Sequence, residues 1–353
     1  MDSAAVLDQV CRLLRGQPVS HPAWNEILEL ANLALITPRL EHCLEAAEAP
    51  ADVSTFVREV ADRNRQRNRR LFEAMGEAAA KLNAVDVTPL VIKGGACLAR
   101  TGGRCDRVLS DLDLVVRPDQ IDLVVTTLGE AGFSVLNRYS GADLHAIAEL
   151  ARPTDVGAID LHQRPPGPPG FVSRQAILQG AHVTPVGAGR VRTPAPHMHI
   201  FLQALHDQLH DGGYWRGGFD LRHAWDIADL IRDEPSMDWA ALRDLPQTTL
   251  TAHAVNAQIL ACHALTGAPI PADAKRLRAR LHYRRQHLQY RFPSLRNGVA
   301  VVAMISEAAN LGPHRRQDSL ARETEGLPPV DSGFAASLDR LRQILAPPPA
   351  IAD

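Results

Sequence analysis

Leu90-Val-Ile-Lys-Gly-Gly-Ala-Cys-Leu-Ala99 and, after a polar turn, Ser110-Asp-Leu-Asp-Leu-Val-Val116 decide how this chain is read. The first run is apolar and stops at Lys93-Gly94-Gly95, where two residues without Cβ atoms let backbone N–H groups come close to a ligand. In the second run the carboxylates of Asp111 and Asp113 stand at i and i+2 within a strand pattern. Both therefore leave one face, while Leu112 and Leu114 leave the other. Two like charges sharing a patch repel unless a cation sits between them, and hard carboxylate oxygens suit Mg²⁺ or Mn²⁺. A bare D-x-D is also found at ordinary solvated strand edges. Here its context includes a third carboxylate, Asp160, in Ala158-Ile-Asp-Leu-His162.

The chain has 353 residues, a length that suggests about two domains, and 38 Lys+Arg against 40 Asp+Glu give a net charge of −2. No bulk polycationic character marks a nucleic-acid or anionic-membrane binder. The five cysteines are scattered, without C-x-x-C spacing, which argues against a disulfide framework or zinc ribbon and fits a reduced cytosol. Neither a signal-peptide pattern nor a membrane-length apolar run is present, so a cytoplasmic protein is expected.

Helical periodicity covers residues 1–85. Short helices carry Val6, Val10, Leu13 and Leu14, and a longer helix from about Ser54 to Asn83 buries Val57, Val60, Leu71, Met75 and Leu82. Arg63, Arg65, Arg67, Arg69 and Arg70 spread round that helix, either as a solvated face or as phosphate contacts. Strand and helix alternate over 86–165, with Ile121, Val124, Val125 and Leu128 marking the apolar face of one helix. A Pro/Gly-rich linker with short strands is expected over 166–195, a helical domain over 196–345 and a disordered tail over 346–353. Between Lys275 and Arg296 eight cations alternate with Tyr283, Tyr290 and Phe292, and no acid intervenes. This is a basic solvated helix or an RNA-contact surface.

His199, Gln203, His206 and His210 fall within about 60° of one another on an ideal helix. Imidazoles on one stripe can bind metal, shuttle protons or bond phosphate and ribose oxygens, or they can simply face solvent. His206-Asp207 and His210-Asp211 also fit, more loosely, an HD-type metal-dependent phosphohydrolase. That reading leaves Asp111, Asp113 and Asp160 without a role.

Taken together, Ile92-Lys-Gly-Gly95, Arg107 to Val116, Ile159-Asp-Leu-His162 and Leu205-His-Asp-Gln-Leu-His210 resemble the bacterial uncharacterised nucleotidyltransferase family of the polymerase-β-type superfamily. Gly95 lies further from Asp111 than the glycine pair does in most of the superfamily, where the second glycine is often serine. The resemblance implies an α+β fold: a small mixed-sheet palm flanked by N-terminal helices and a C-terminal helical domain. It implies transfer of an NMP group from an NTP, with Asp111, Asp113 and Asp160 as catalytic metal ligands for Mg²⁺ or Mn²⁺. Nucleotide contacts are implied at Lys93, Gly94, Gly95, Arg107, Ser110, His206 and His210, with the histidines touching nucleotide or acceptor rather than forming a separate metal centre. The acceptor is RNA, protein or peptide, or a small molecule. An inactive RNA- or partner-binding module on the same fold is the alternative. If Asp111 and Asp113 repel one another unrelieved, Asp113→Asn should leave the metal-free fold intact or slightly more stable.

Overall fold

A computed structural model describes residues 2–139, 145–165, 172 and 174–324. Most of the Pro/Gly run and the whole expected disordered tail lie outside the described residues. The architecture is mixed: a seven-stranded sheet with helices before, between and after the strands. The strands are β1 (Leu90–Val91), β2 (Asp111–Val115), β3 (Ser134–Arg138), β4 (Ala146–Ala151), β5 (Ala158–His162), β6 (His182–Val186) and β7 (Gly189–Thr193), in the order β3-β4-β5-β2-β1-β7-β6. β2 runs parallel to β5 and antiparallel to β1, and β1 runs parallel to β7. The hairpin β6–β7, which follows the Pro/Gly run, therefore completes the same sheet. No described helix is long and apolar enough to cross a membrane.

Strand alternation divides the buried residues between two cores. Val91, Leu112, Leu114, Ile159 and Leu161 leave one face of the sheet and pack with Leu71, Met75 and Leu82 of the Ala51–Asn83 helix. Leu90, Ile92 and Val115 leave the opposite face. They join a second core that contains Leu7, Val10, Ile27 and Leu40 together with Phe201, Ile227 and Ile259. The N-terminal and C-terminal helices thus share one interior. By period-two geometry, Asp111, Asp113 and Asp160 lie on the face that turns toward it.

Four of the five arginines in the middle of the long helix pair within the protein. Arg63 pairs with Glu59, and Arg65 pairs with Glu41 and Asp62. Arg70 donates to Thr154 O, and Arg67 donates to Leu109 O at 2.8 Å. Beside Arg67, the fully buried Asn68 donates through Nδ2 to Cys105 O (2.8 Å) and Arg107 O (3.1 Å). These bonds fix the irregular segment that leads into β2, and with it the position of Asp111. We expect Asn68→Ala to cost about 1–3 kcal/mol, because buried carbonyls lose their donor. Urea unfolding of the variant beside wild type measures the cost.

Candidate active site

β2 and β5 pair in parallel with Asp113 opposite Asp160, so carboxylates from strands 47 residues apart in sequence become neighbours on one face. Donor atoms of Asp113, Asp160 and His162 all lie within 4.8 Å of one another. Asp111, one pleat before Asp113, is on the same face and only partly buried. β5 can begin this close because residue 157 is glycine: a Cβ there would overlap the carbonyl of Ser110.

Asp113 is nearly fully buried, and its Oδ1 accepts from Lys93 Nζ at 2.8 Å and shares a hydrogen bond with His162 Nε2 at 2.9 Å. Burial works against its charge, but the His162 hydrogen bond and the Lys93 ammonium outweigh it and hold the carboxyl well below the usual range. Asp160 goes the other way. Burial, followed by the carboxylates of Asp111 and Asp113, pushes it up to about 6. The like-charge strain expected of the pair is therefore carried by Asp160, whereas Asp113 is already compensated.

Lys93 opens the Lys93–Arg100 helix with φ at +50°, in the left-handed region that a side chain occupies at a cost of about 1–2 kcal/mol. The strained backbone accompanies the ion pair of Lys93 with Asp113. The two glycines that follow make room for protein: a Cβ on Gly94 would strike Leu109 and Arg107, and one on Gly95 would lie 2.7 Å from Val91. What they permit is close packing of the helix, whose first N–H groups have no earlier helical carbonyl to bond. Ser110 donates to Asp111 Oδ2 at 3.0 Å. Arg107 departs from expectation. It is buried, and its guanidinium pairs with Asp226, so it is not free to offset a triphosphate.

The histidine stripe divides. His199 is buried, with Nδ1 accepting from Arg100 Nη2 at 2.7 Å. The helix Pro196–Ala204 then passes into a π-helical turn, Leu205–His210, whose wider i→i+5 winding invalidates the α-helical face arithmetic. His206 and His210 emerge beside the carboxylates through His145. The His145 ring stacks on His162 at 5.2 Å and meets His210 edge-on at 5.1 Å, and His206 lies 5.4 Å beyond. His162 was within reach of sequence reasoning, since it stands two residues after Asp160 on the same strand face. His145 carried no such signal. Asp207, central to the hydrolase reading, is buried and committed to His223 Nδ1 (2.6 Å) and Gln258 Nε2 (3.0 Å).

Several residues of the basic 275–296 segment are internal ties. Arg278 pairs with Glu307, Arg291 with Asp2, and Arg285 and Arg296 donate to the carbonyls of Tyr214 and Arg216. Tyr283 and Tyr290 pack against Phe219.

The sequence model of the uncharacterised nucleotidyltransferases matches residues 20–267, which takes in the sheet, the three carboxylates and the histidine turn. The chain belongs to that family. As a nucleotidyltransferase it is a transferase, and its family implies a nucleotide substrate. Among solved structures it is similar to the solution structure of the antibiotic-resistance factor ANT(2'')-Ia, at 13% identity and a TM-score of 0.36, over 55% of this chain and 95% of that one. No curated protein matches the nucleotidyltransferase sequence.

Proposed function

We propose that this nucleotidyltransferase moves an NMP group from an NTP to an acceptor nucleophile, with pyrophosphate leaving. The observation that carries the reading is the in-register pair Asp113 and Asp160, with Asp111 on the same strand face. The donor set is hard oxygen and three carboxylates share one strand face, Asp160 being raised by burial and then by Asp111 and Asp113, which supports a fit to Mg²⁺ or Mn²⁺. When bound, such ions neutralise charge on phosphoryl oxygens and raise the reactivity of a coordinated nucleophile.

In this reading Asp111 and Asp113 would hold the cations. Asp160, whose proton is retained to about pH 6, is both ligand and acceptor of the nucleophile's proton. Lys93 supplies positive charge at the start of a helix, where the backbone N–H groups of Gly94 and Gly95 meet the triphosphate. Ser110 adds a hydroxyl beside Asp111. His206 and His210 contact the nucleotide or the acceptor from the other wall, and Arg107 has a structural part only. RNA, a peptide and a small molecule remain the acceptor classes to be separated.

The test is pyrophosphate release from each NTP with Mg²⁺ or Mn²⁺ against those three acceptor classes. No release with any pair, at protein concentrations where the NTP binds, would leave a binding module on this fold. We expect His206→Ala to lower turnover about a hundredfold, the lower end for loss of a positioned proton-transfer group, without lowering the bound metal. Metal analysis of the variant checks the second half.

Acid should act on the same group. An Asp160 raised to about 6 must lose its proton before it ligates, so Mg²⁺ affinity should fall as pH drops through 6. The sign for folding is separate. A carboxyl whose folded value is raised stabilises the fold below its unfolded value near 4, and that contribution is lost between about pH 4 and 6. Calorimetric Mg²⁺ titration between pH 5 and 7.5 measures the first effect; a flat affinity rejects it.

A further inference from the structure

The row of polar side chains that contains Asp113 and Asp160 continues past them toward the edge of the sheet. In the antiparallel pairing of β4 with β5, Glu149 stands opposite Asp160, and in that of β3 with β4, Asn137 stands opposite Glu149. Directly opposed residues project from the same face. Asp113, Asp160, Glu149 and Asn137 therefore cross four strands in steps of about 5 Å. Ala148 and Leu150, on either side of Glu149, leave the other face into the core. Glu149 lies one strand beyond Asp113, Asp160 and His162, the three residues whose donor atoms come within 4.8 Å of one another.

Tyr139 stands on the same shelf. Its N–H donates to Ile147 O, one pleat from Glu149, and its side chain is exposed. Burial first, and then the charges of Asp160 and Glu149, hold its phenol above the ordinary value, so the hydroxyl feels both carboxylates. No described cation pairs with Glu149. It accepts the neutral amide Nδ2 of Asn137 at 2.5 Å, while Arg138 stands opposite Ala148 and so leaves the other face. The cations beside the carboxylates are at the opposite end of the row: Lys93 on Asp113, and Arg67, whose charge reaches Asp111. One end of the row is thus positive, at the start of the helix assigned to the triphosphate. The other end offers a carboxylate without a counter-charge and an exposed aromatic ring, and both attract an ammonium group.

We propose that the acceptor is a small molecule carrying an ammonium group, which Glu149 and Tyr139 hold while a hydroxyl of the same molecule faces Asp160. This rests on the nucleotidyl-transfer reading above. In that step the hydroxyl oxygen bonds the α-phosphorus of the NTP and the bond from that phosphorus to the bridging β-phosphate oxygen breaks. Pyrophosphate leaves with the electron pair, and the hydroxyl proton passes to Asp160. Glu149 binds and orients the acceptor and takes no proton. The same carboxylate repels RNA, whose backbone is a polyanion.

The experiment uses two matched pairs, ethanolamine with ethylene glycol and serinol with glycerol. Each compound is titrated into the full chain in EDTA and read by saturation-transfer NMR. Calorimetry measures Mg²⁺-NTP binding in parallel, and pyrophosphate release is followed with all four compounds and with RNA. The amines are expected to bind and to support release, and their uncharged counterparts to do so at least about tenfold less well, the scale of one charge-assisted hydrogen bond. Glu149→Gln, which can keep the bond from Asn137, should raise the KM for the amines about tenfold and leave NTP affinity unchanged. Tyr139→Leu should raise that KM about threefold, as expected for an exposed cation–π contact. Equal responses to amine and counterpart overturn the proposal, as does unchanged amine binding in both variants, or release with RNA alone. Failure of Mg²⁺-NTP to bind would instead defeat the transfer reading, and the NMR titrations would still decide whether Glu149 holds an ammonium group.

Discussion

Asp160→Asn is expected to lower NTP turnover by at least about a hundredfold, the scale of losing one preorganised electrostatic group, while raising the melting temperature of the metal-free protein. The carboxylate of Asp160 is partly buried, lies on a face with two others and holds its proton to about pH 6, so neutralising it relieves repulsion. If Asp160 ligates the metal as proposed, the same change removes a ligand when metal and NTP are present, and the sign of the stability difference should reverse. Asp113→Asn behaves differently. Its carboxylate neutralises the mostly buried Lys93 and bonds the buried His162, so the amide leaves an ammonium without its counter-charge. Activity and stability fall together there, which corrects the expectation that neutralising Asp113 would spare or strengthen the fold. Melting curves of both variants at pH 7.5, with and without Mg²⁺ and NTP, separate the cases. Equal shifts in the metal-free state would contradict this division of roles.

The second large effect is expected far from the carboxylates. Asp226 is buried between Arg107, which precedes β2, and Arg39 of the N-terminal segment. One carboxylate ties three parts of the chain, and Asp226→Ala strands the buried guanidinium of Arg107, while Arg39 keeps Asp229 at 2.7 Å. Breaking a buried pair by removing one partner costs about 3–5 kcal/mol. Replacing Arg107 as well, in Arg107→Met with Asp226→Ala, should recover part of the loss. Denaturant midpoints for the single and double variants measure the coupling, and strict additivity would refute it.

These residues also show what can be read before a structure is known. The placement of Asp111, Asp113 and Asp160 on strands was legible because a strand has a period of two and because apolar neighbours on either side mark the strand. The helical segments were legible for the same kind of reason. Arg107 was misread as a phosphate contact, since its partner Asp226 lies 119 positions away and no local pattern joins them. The grouping of His199 with His206 and His210 failed because the face calculation assumes 3.6 residues per turn, and one π-turn intervenes. The glycines at 94 and 95 were read as space for a ligand, when the space is filled by Leu109, Arg107 and Val91. The left-handed Lys93, whose ammonium compensates Asp113, leaves no trace in hydropathy at all.

The core shared by the two ends of the chain also bears on biosynthesis. Leu7, Val10, Ile27 and Leu40 are made first, yet their packing partners Phe201, Ile227 and Ile259 are made some two hundred residues later. At about 5–20 residues per second the nascent amino-terminal helices wait roughly 10–40 s with the part of their apolar surface that faces the C-terminal helices uncovered, while the long helix and the sheet, which share this core through Val57, Leu90, Ile92 and Val115, can already assemble on them. A ribosome-stalled chain ending before residue 200 should therefore recruit holdase chaperones through its first 44 residues, and release should follow translation of the Leu221–Asp233 helix.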